Sequence, residues 1–176
     1  QTERFEVGPP LWLLGEPVEA IRIHDRDLFA VWQSLVNAGD AGDSSRDVDG
    51  DGRPELLVGG RANVLSVFRN LGLGTLTTNS FAASVDFSMT GWVHNVVLGD
   101  INGDGKPDPV VVGELGSYLA VFQNQSSPGS FTAGSLAARV DFGTGWNAWG
   151  VSVGDLDGDG RPDVAFCNNY ETFASL

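Results

Sequence analysis

The sequence predicts an all-β fold assembled from a tandem repeat of short antiparallel strands, and two observations carry that prediction. An acidic stretch occurs three times, as "DVDGDGRPE" at 47–55, "DINGDGKPD" at 100–108 and "DLDGDGRPD" at 155–163, with its first residues 53 and 55 apart. The likeness also extends beyond these stretches. "VLSVFRN" at 64–70 returns as "YLAVFQN" at 118–124, and "FAASVDF" at 81–87 returns as "LAARVDF" at 136–142, at offsets of 54 and 55.

Each element of the unit follows from its residues. In the middle unit the β-rich run "VHNVVLG" leads into the acidic loop and "PVVVGE" leads out of it. "YLAVFQN" comes next, then the polar turn "QSSPGS", then "LAARVDF". Amphipathic stretches of helix length are missing, and the 24 Gly and 8 Pro fall between the apolar runs. Four short antiparallel strands per unit is the make-up of a β-propeller blade. The expected organisation is an N-terminal segment at 1–39 with one or two strands that complete another blade, repeat 1 at 40–92, repeat 2 at 93–147 and a truncated repeat 3 at 148–176. About three repeats fall short of the four to eight blades that close a propeller, so the ring is expected to be incomplete.

Composition narrows the function classes. A hydrophobic share of 41% suits a folded domain, and no apolar run approaches the roughly 18 residues of a membrane-spanning helix. Lys and Arg number 10 against 23 Asp and Glu, for a formal charge of −13, which disfavours nucleic acid and any basic membrane-surface contact. The three acidic stretches hold four, three and four carboxylates, so eleven of the 23 lie in 27 positions. Charge so concentrated calls for a cation. The single cysteine, Cys167, rules out an intramolecular disulfide and is expected to be a small buried core residue. No basic-then-apolar leader is present, so the chain reads as mature or processed, and Gln1 is compatible with signal-peptide removal.

The acidic loop has the chemistry of a metal site. Carboxylates at loop positions one, three, five and nine are hard oxygen ligands that converge, and unpaired they repel and raise one another's pKa values. Glycines at positions four and six allow the backbone to wrap around an ion. The residue at position seven (Arg53, Lys106, Arg161) is expected to offer its carbonyl while its side chain leaves for solvent. Proline at position eight fixes the path into the next strand. Oxygen donors without His or Cys suit Ca²⁺ rather than zinc, and Mg²⁺ prefers fewer protein ligands. The EF-hand is excluded, because position twelve, where it needs a bidentate Glu, holds Val58, Val111 and Phe166.

The acidic loop, the following strand, the "VFxN" strand and the "F/LAAxVDF" strand together resemble the FG-GAP/VCBS repeat family, also found in integrin alpha-chain propellers. The resemblance covers about residues 40–176. It implies four-stranded blades with Ca²⁺ held between the first two strands, about three ions in all. The implied ligands are Asp47, Asp49, Asp51 and Glu55; Asp100, Asn102, Asp104 and Asp108; and Asp155, Asp157, Asp159 and Asp163, with carbonyls from Arg53, Lys106 and Arg161. Asn102 departs from the acidic pattern and lowers the charge of the second loop. "NAGDAGDSSR" before the first loop lacks the Gly-Asp approach of Gly99–Asp100 and Gly154–Asp155, so the strand leading into that loop is irregular.

The ends of the array leave three readings open. The apolar segments "VEAIRI" at 18–23 and "LFAVWQSL" at 28–35 pair with the unfinished last blade of the same chain, or with that of a neighbouring subunit, or the chain is one piece of a longer propeller. The last two rank above the first. Five tryptophans (Trp12, Trp32, Trp92, Trp146, Trp149) serve blade packing in preference to a sugar platform, and His24 and His94 have no metal-binding or catalytic partner. "NQS" at 124–126 fits the N-glycosylation pattern. No nucleophile, base and orienting group can be assembled, so an enzyme is not expected. The sequence therefore points to an extracellular Ca²⁺-binding repeat protein with a structural role, self-assembling through unpaired terminal strands into oligomers or filaments. The alternatives are an adhesion module for glycans or proteins, or a non-catalytic part of a larger secreted protein.

Overall fold

The computed structural model describes residues 5–7, 11–13, 16–18, 21–23, 28–29, 47–72, 77–113, 117–145, 147–168 and 174–175. The chain opens with four short strands. β1 (Phe5–Val7) pairs antiparallel with β4 (Ile21–Ile23), and β2 (Leu11–Leu13) pairs with β3 (Glu16–Val18). Three antiparallel meanders follow, and the architecture is all-β and propeller-like, with no closed ring among the described residues. Among the described residues the helical content is one 3-10 turn, Thr78–Ser80.

The first sheet runs β5 (Leu28–Phe29), β6 (Leu56–Gly60), β7 (Val64–Phe68), β8 (Val85–Ser88). The second runs β9 (Val93–Gly99), β10 (Asp108–Gly113), β11 (Tyr118–Val121), β12 (Val140–Gly143). The third has three strands, β13 (Ala148–Gly154), β14 (Asp163–Asn168) and β15 (Ala174–Ser175). The first sheet takes its leading strand from 28–29, inside the N-terminal segment drawn at 1–39, and thus starts before the boundary drawn at residue 40. "LFAV" has the apolar, β-branched character of a strand, whereas "NAGDAGDSSR" offers only turn formers. No described strand among β1–β5 pairs with the third sheet.

The middle sheet is covered on both faces, which explains its unbroken apolar runs. Val96, Val111 and Ala120 lie on one face and pack with Leu57, Leu65 and Val67 of the first sheet. Val97, Val110, Val112 and Leu119 lie on the other and meet Ala148 and Val151 of the third. The register accounts for this sorting, since Val111 stands opposite both Val96 and Ala120, while Val110 stands opposite Val97 and Val121. Phe87 on β8 reaches the second repeat and meets the Phe122 and Phe131 rings edge-on, at 5.9 and 6.0 Å.

Two expectations are corrected on the outer faces. Cys167 is exposed, because β14 belongs to the third sheet, whose strand residues are mostly half-buried or exposed. Trp149, expected in the core, is half-exposed and packs on His94. The pairing of β9 with β10 passes over His94, and that of β13 with β14 passes over Trp149, so both are bulge residues at matching places. Their rings stack at 4.6 Å, 17° from parallel, which joins neighbouring sheets through a half-exposed tryptophan instead of a core one. The Arg61 guanidinium lies 4.6 Å over the Trp92 ring. Trp32 and Trp146 fall outside the described residues, as does His24.

The contact between the first two sheets is tight at Gly59, where a Cβ would overlap the Val93 side chain, itself fully buried. Gly59→Ala should therefore destabilise the fold by about 1–3 kcal/mol through overpacking, as read by denaturant unfolding.

Candidate metal centre

Each acidic loop delivers the chain into the second strand of a sheet, and the backbone amides of the loop are what gather its carboxylates. In the first loop Asp47 accepts from the amides of Asp51 (2.9 Å) and Gly52 (2.7 Å), Asp49 Oδ1 accepts from Asp51 (3.2 Å) and Asp51 Oδ1 from Arg53 (3.0 Å). The second loop repeats this. Asp100 takes the amides of Asp104 and Gly105 at 2.9 and 2.8 Å, Asn102 takes Asp104 and Asp104 takes Lys106, both at 2.9 Å. In the third, Asp155 takes Asp159 (3.2 Å) and Gly160 (2.9 Å), Asp157 takes Asp159 (3.0 Å) and Asp159 takes Arg161 (2.8 Å). Gly50 and Gly52, at φ +69° and +87°, supply the left-handed turns that bring position one back over positions five and six.

Positions one, three and five thus converge. Ligand oxygens of Asp47, Asp49, Asp51 and Glu55 lie within 4.8 Å of one another, as do those of Asp155, Asp157 and Asp159. Asn102 gives the second loop a neutral oxygen at position three, and its amide nitrogen donates to Asp104 Oδ2 at 3.0 Å.

Position nine has a further task. Its carboxylate reaches back to the amide at position two: Glu55 to Val48 at 2.7 Å, Asp108 to Ile101 at 3.1 Å, Asp163 to Leu156 at 2.9 Å. In the first two units it also accepts the amide of the asparagine that ends "VFxN", Asn70 at 3.4 Å and Asn124 at 2.7 Å. Those asparagine side chains donate in turn to the carbonyls of Pro54 (3.1 Å) and Pro107 (3.0 Å). Sequence reading assigned Asn70 and Asn124 no role; their identity in both "VFxN" segments was the available signal.

Asn124 does more. Its side chain also donates to the Val48 carbonyl (2.8 Å) and accepts from the Ser126 amide (2.9 Å), while Ser126 Oγ donates to Val48 (2.7 Å) and Gly129 N to the Asp49 carbonyl (2.9 Å). The 124–130 turn of the second repeat therefore covers the first loop, and Val48, Asp49 and Glu55 are buried. Asn124 is only 1% exposed and fully engaged, so the folded chain does not present it for glycosylation. The second and third loops are largely exposed.

The electrostatics of the first loop differ as well. Arg69 Nε meets Asp49 Oδ2 at 2.6 Å and its terminal nitrogen meets Asp51 Oδ2 at 3.2 Å. Arg53 turns back onto Asp51 at 2.5 Å and donates to the Asn70 carbonyl, and Lys106 Nζ donates to the Ser126 carbonyl at 2.8 Å. The expectation that position-seven side chains leave for solvent is thus corrected at Arg53 and Lys106, which find oxygen acceptors within reach; Arg161 is exposed. Among the described residues no cationic side chain pairs with Asp155, Asp157 or Asp159. Burial pushes Asp49 and Asp108 above the usual carboxylate range, partly offset by Arg69 at the former and backbone amides at the latter. Burial, then the Asp49 charge, pushes Glu55 up to about 8 against the pull of its amide donors. The donor set is carboxylate and amide oxygen throughout, on glycine-shaped loops, which fits a hard divalent cation such as Ca²⁺.

Two outcomes follow. Asn124→Ala strips partners from the Val48 and Pro107 carbonyls and should cost about 1–3 kcal/mol in denaturant unfolding. With chelator present, the folded chain holds a proton on Glu55 between its ordinary value of 4.5 and about 8, where the unfolded chain has lost it. Stability should therefore fall as pH rises through that window and level above it, and Glu55→Gln should flatten this slope in melting curves.

Comparison with known proteins agrees with this geometry. The FG-GAP-like repeat family matches residues 47–111, from the first acidic loop into β10, and again 110–166, from β10 through the third acidic loop into β14. Searches of curated proteins and of solved structures found no match. Repeats of this family often bind Ca²⁺, are typical of extracellular proteins and are generally non-enzymatic. No helix among the described residues is long and apolar enough to cross a membrane. With the matches spanning well over half of its length, the chain belongs to the FG-GAP-like repeat family.

Proposed function

We propose that this protein is an extracellular, Ca²⁺-stiffened structural repeat protein that assembles with copies of itself. The observation that carries the metal reading is the convergence of Asp155, Asp157 and Asp159 with no cationic side chain among the described residues to offset them. Like charges held this close need a counter-ion, and an oxygen-only donor set selects a hard one. Each ion ties the strand entering a loop to the strand leaving it. Sites in extracellular modules bind Ca²⁺ at about 10⁻⁴ to 10⁻³ M, so cytosolic levels would leave the loops empty; this supports a secreted or cell-surface setting.

Assembly is supported by the outer strand of the middle sheet. β12 has every residue exposed, with Val140 and Phe142 at 57% and 53%, and its outer side pairs with no other strand among the described residues. Copies meeting through such edges form rings or open filaments according to whether the rotation closes. A second reading, an adhesion module for glycans or extracellular proteins, is favoured by Trp149, half-exposed and braced by His94. No catalytic role is proposed.

Light scattering in millimolar Ca²⁺ and then in excess chelator tests both parts. Large species that dissociate on chelation, with a lower melting temperature, are the expected result. A monomer in both conditions would remove self-assembly and leave the adhesion reading. A melting temperature indifferent to chelator would remove the metal.

A further inference from the structure

The three loops share a backbone but not a charge environment. In the first, Asp49 Oδ2 and Asp51 Oδ2 are already bound by the Arg69 guanidinium, at 2.6 and 3.2 Å, and Arg53 adds a second contact to Asp51. Arg69 is the third residue of "VFRN", one position after the end of β7, and that placement brings its side chain across to the loop. At the matching place in "VFQN" the second repeat has Gln123, which is neutral and exposed. Lys106 is the one cation beside the second loop in sequence, and it is spent on the Ser126 carbonyl.

We propose that Arg69 is the resident cation of the first loop: it keeps that loop ordered without metal and makes it the last of the three to take up Ca²⁺. The inference rests on the calcium reading above and refines it. A guanidinium paired with two carboxylates does electrostatically what a divalent ion would do, offsetting their repulsion and fixing their direction. Its Nε contact falls on Asp49, which is fully buried, so releasing it strands a charge that water cannot reach. A Ca²⁺ ion must displace this partner before it can use Asp49 Oδ2 or Asp51 Oδ2. The 124–130 turn adds to the barrier, since Gly129 donates to the Asp49 carbonyl and lies beside the Arg69 guanidinium. The third loop presents its carboxylates to solvent and the second presents Asp104, with Asp100 half-buried and Asp108 buried; neither has such a competitor among the described residues. Uptake is then sequential: two exposed loops first, the covered and neutralised loop afterwards.

Hydrogen exchange of the full chain, resolved to peptides over 47–55, 100–108 and 155–163 and followed from chelator through rising Ca²⁺, reads each loop separately. In chelator the first peptide should be protected and the other two should exchange. As Ca²⁺ rises, the first peptide should respond at concentrations about tenfold higher than the others, the equivalent of one charge-assisted contact. R69Q, which installs the residue of the second repeat, should abolish the metal-free protection and bring the midpoint of the first loop down to that of the others. Q123R should do the reverse at 100–108, so the proposal stays testable if R69Q folds poorly. Three loops responding together in the unaltered chain, or an R69Q midpoint that does not move, would overturn it. If no loop responds to Ca²⁺, the calcium reading falls instead, and the metal-free protection in R69Q against the unaltered chain still decides the role of Arg69.

Discussion

Repulsion among carboxylates forced into one turn is the constraint on which the rest of this structure depends. The loops do not avoid it; they meet it with backbone amides. Every carboxylate at positions one, three and five accepts at least one main-chain N–H, so loop conformation and charge placement are one problem with one solution. Amide dipoles offset only part of the charge, which leaves each loop in want of a cation. The first loop finds it within the chain, and the third presents its oxygens outward.

Position nine shows how that local problem becomes a blade. Its carboxylate clasps the start of its own loop and the end of the following hairpin, so the segment from the loop through the VFxN strand is held at both ends. The asparagine that receives it closes the circle by donating to the proline carbonyl one residue earlier. Strand pairing alone would leave β6–β7 or β10–β11 as a hairpin free to slide. The clasp fixes its register from the loop side, while the buried valines fix it from the core side.

Most of the architecture was legible because it is written three times. Period, strand order and the places of the acidic loops all follow from comparing the chain with itself, and the alternation of Val110 and Val111 between faces is what a strand buried on both sides requires. What escaped were features that depend on one repeat meeting the next. Arg69 differs from Gln123 by a single letter inside a matched segment, and a sequence comparison counts that as noise, whereas across a 2.6 Å gap to Asp49 it is decisive. Asn124 looked like a glycosylation signal because the motif is short and its burial is contributed by Val48, 76 residues away. Cys167 and Trp149 were assigned to the interior from residue type, yet each stands on an outer face. The leading strand of the first sheet was misplaced because turn-forming residues separate it from its loop.

The cover that the second repeat places over the first loop gives the array a direction. Val48 is gripped by Asn124 and Ser126 from the unit that follows, and among the described residues the grip is one-way: the first repeat makes no hydrogen bond in return to the 100–108 loop. Cohesion at this junction is a lock on the first loop that its successor closes. Drawing the second repeat away would therefore uncover the first loop, whereas among the described residues the second loop has no such cover to lose.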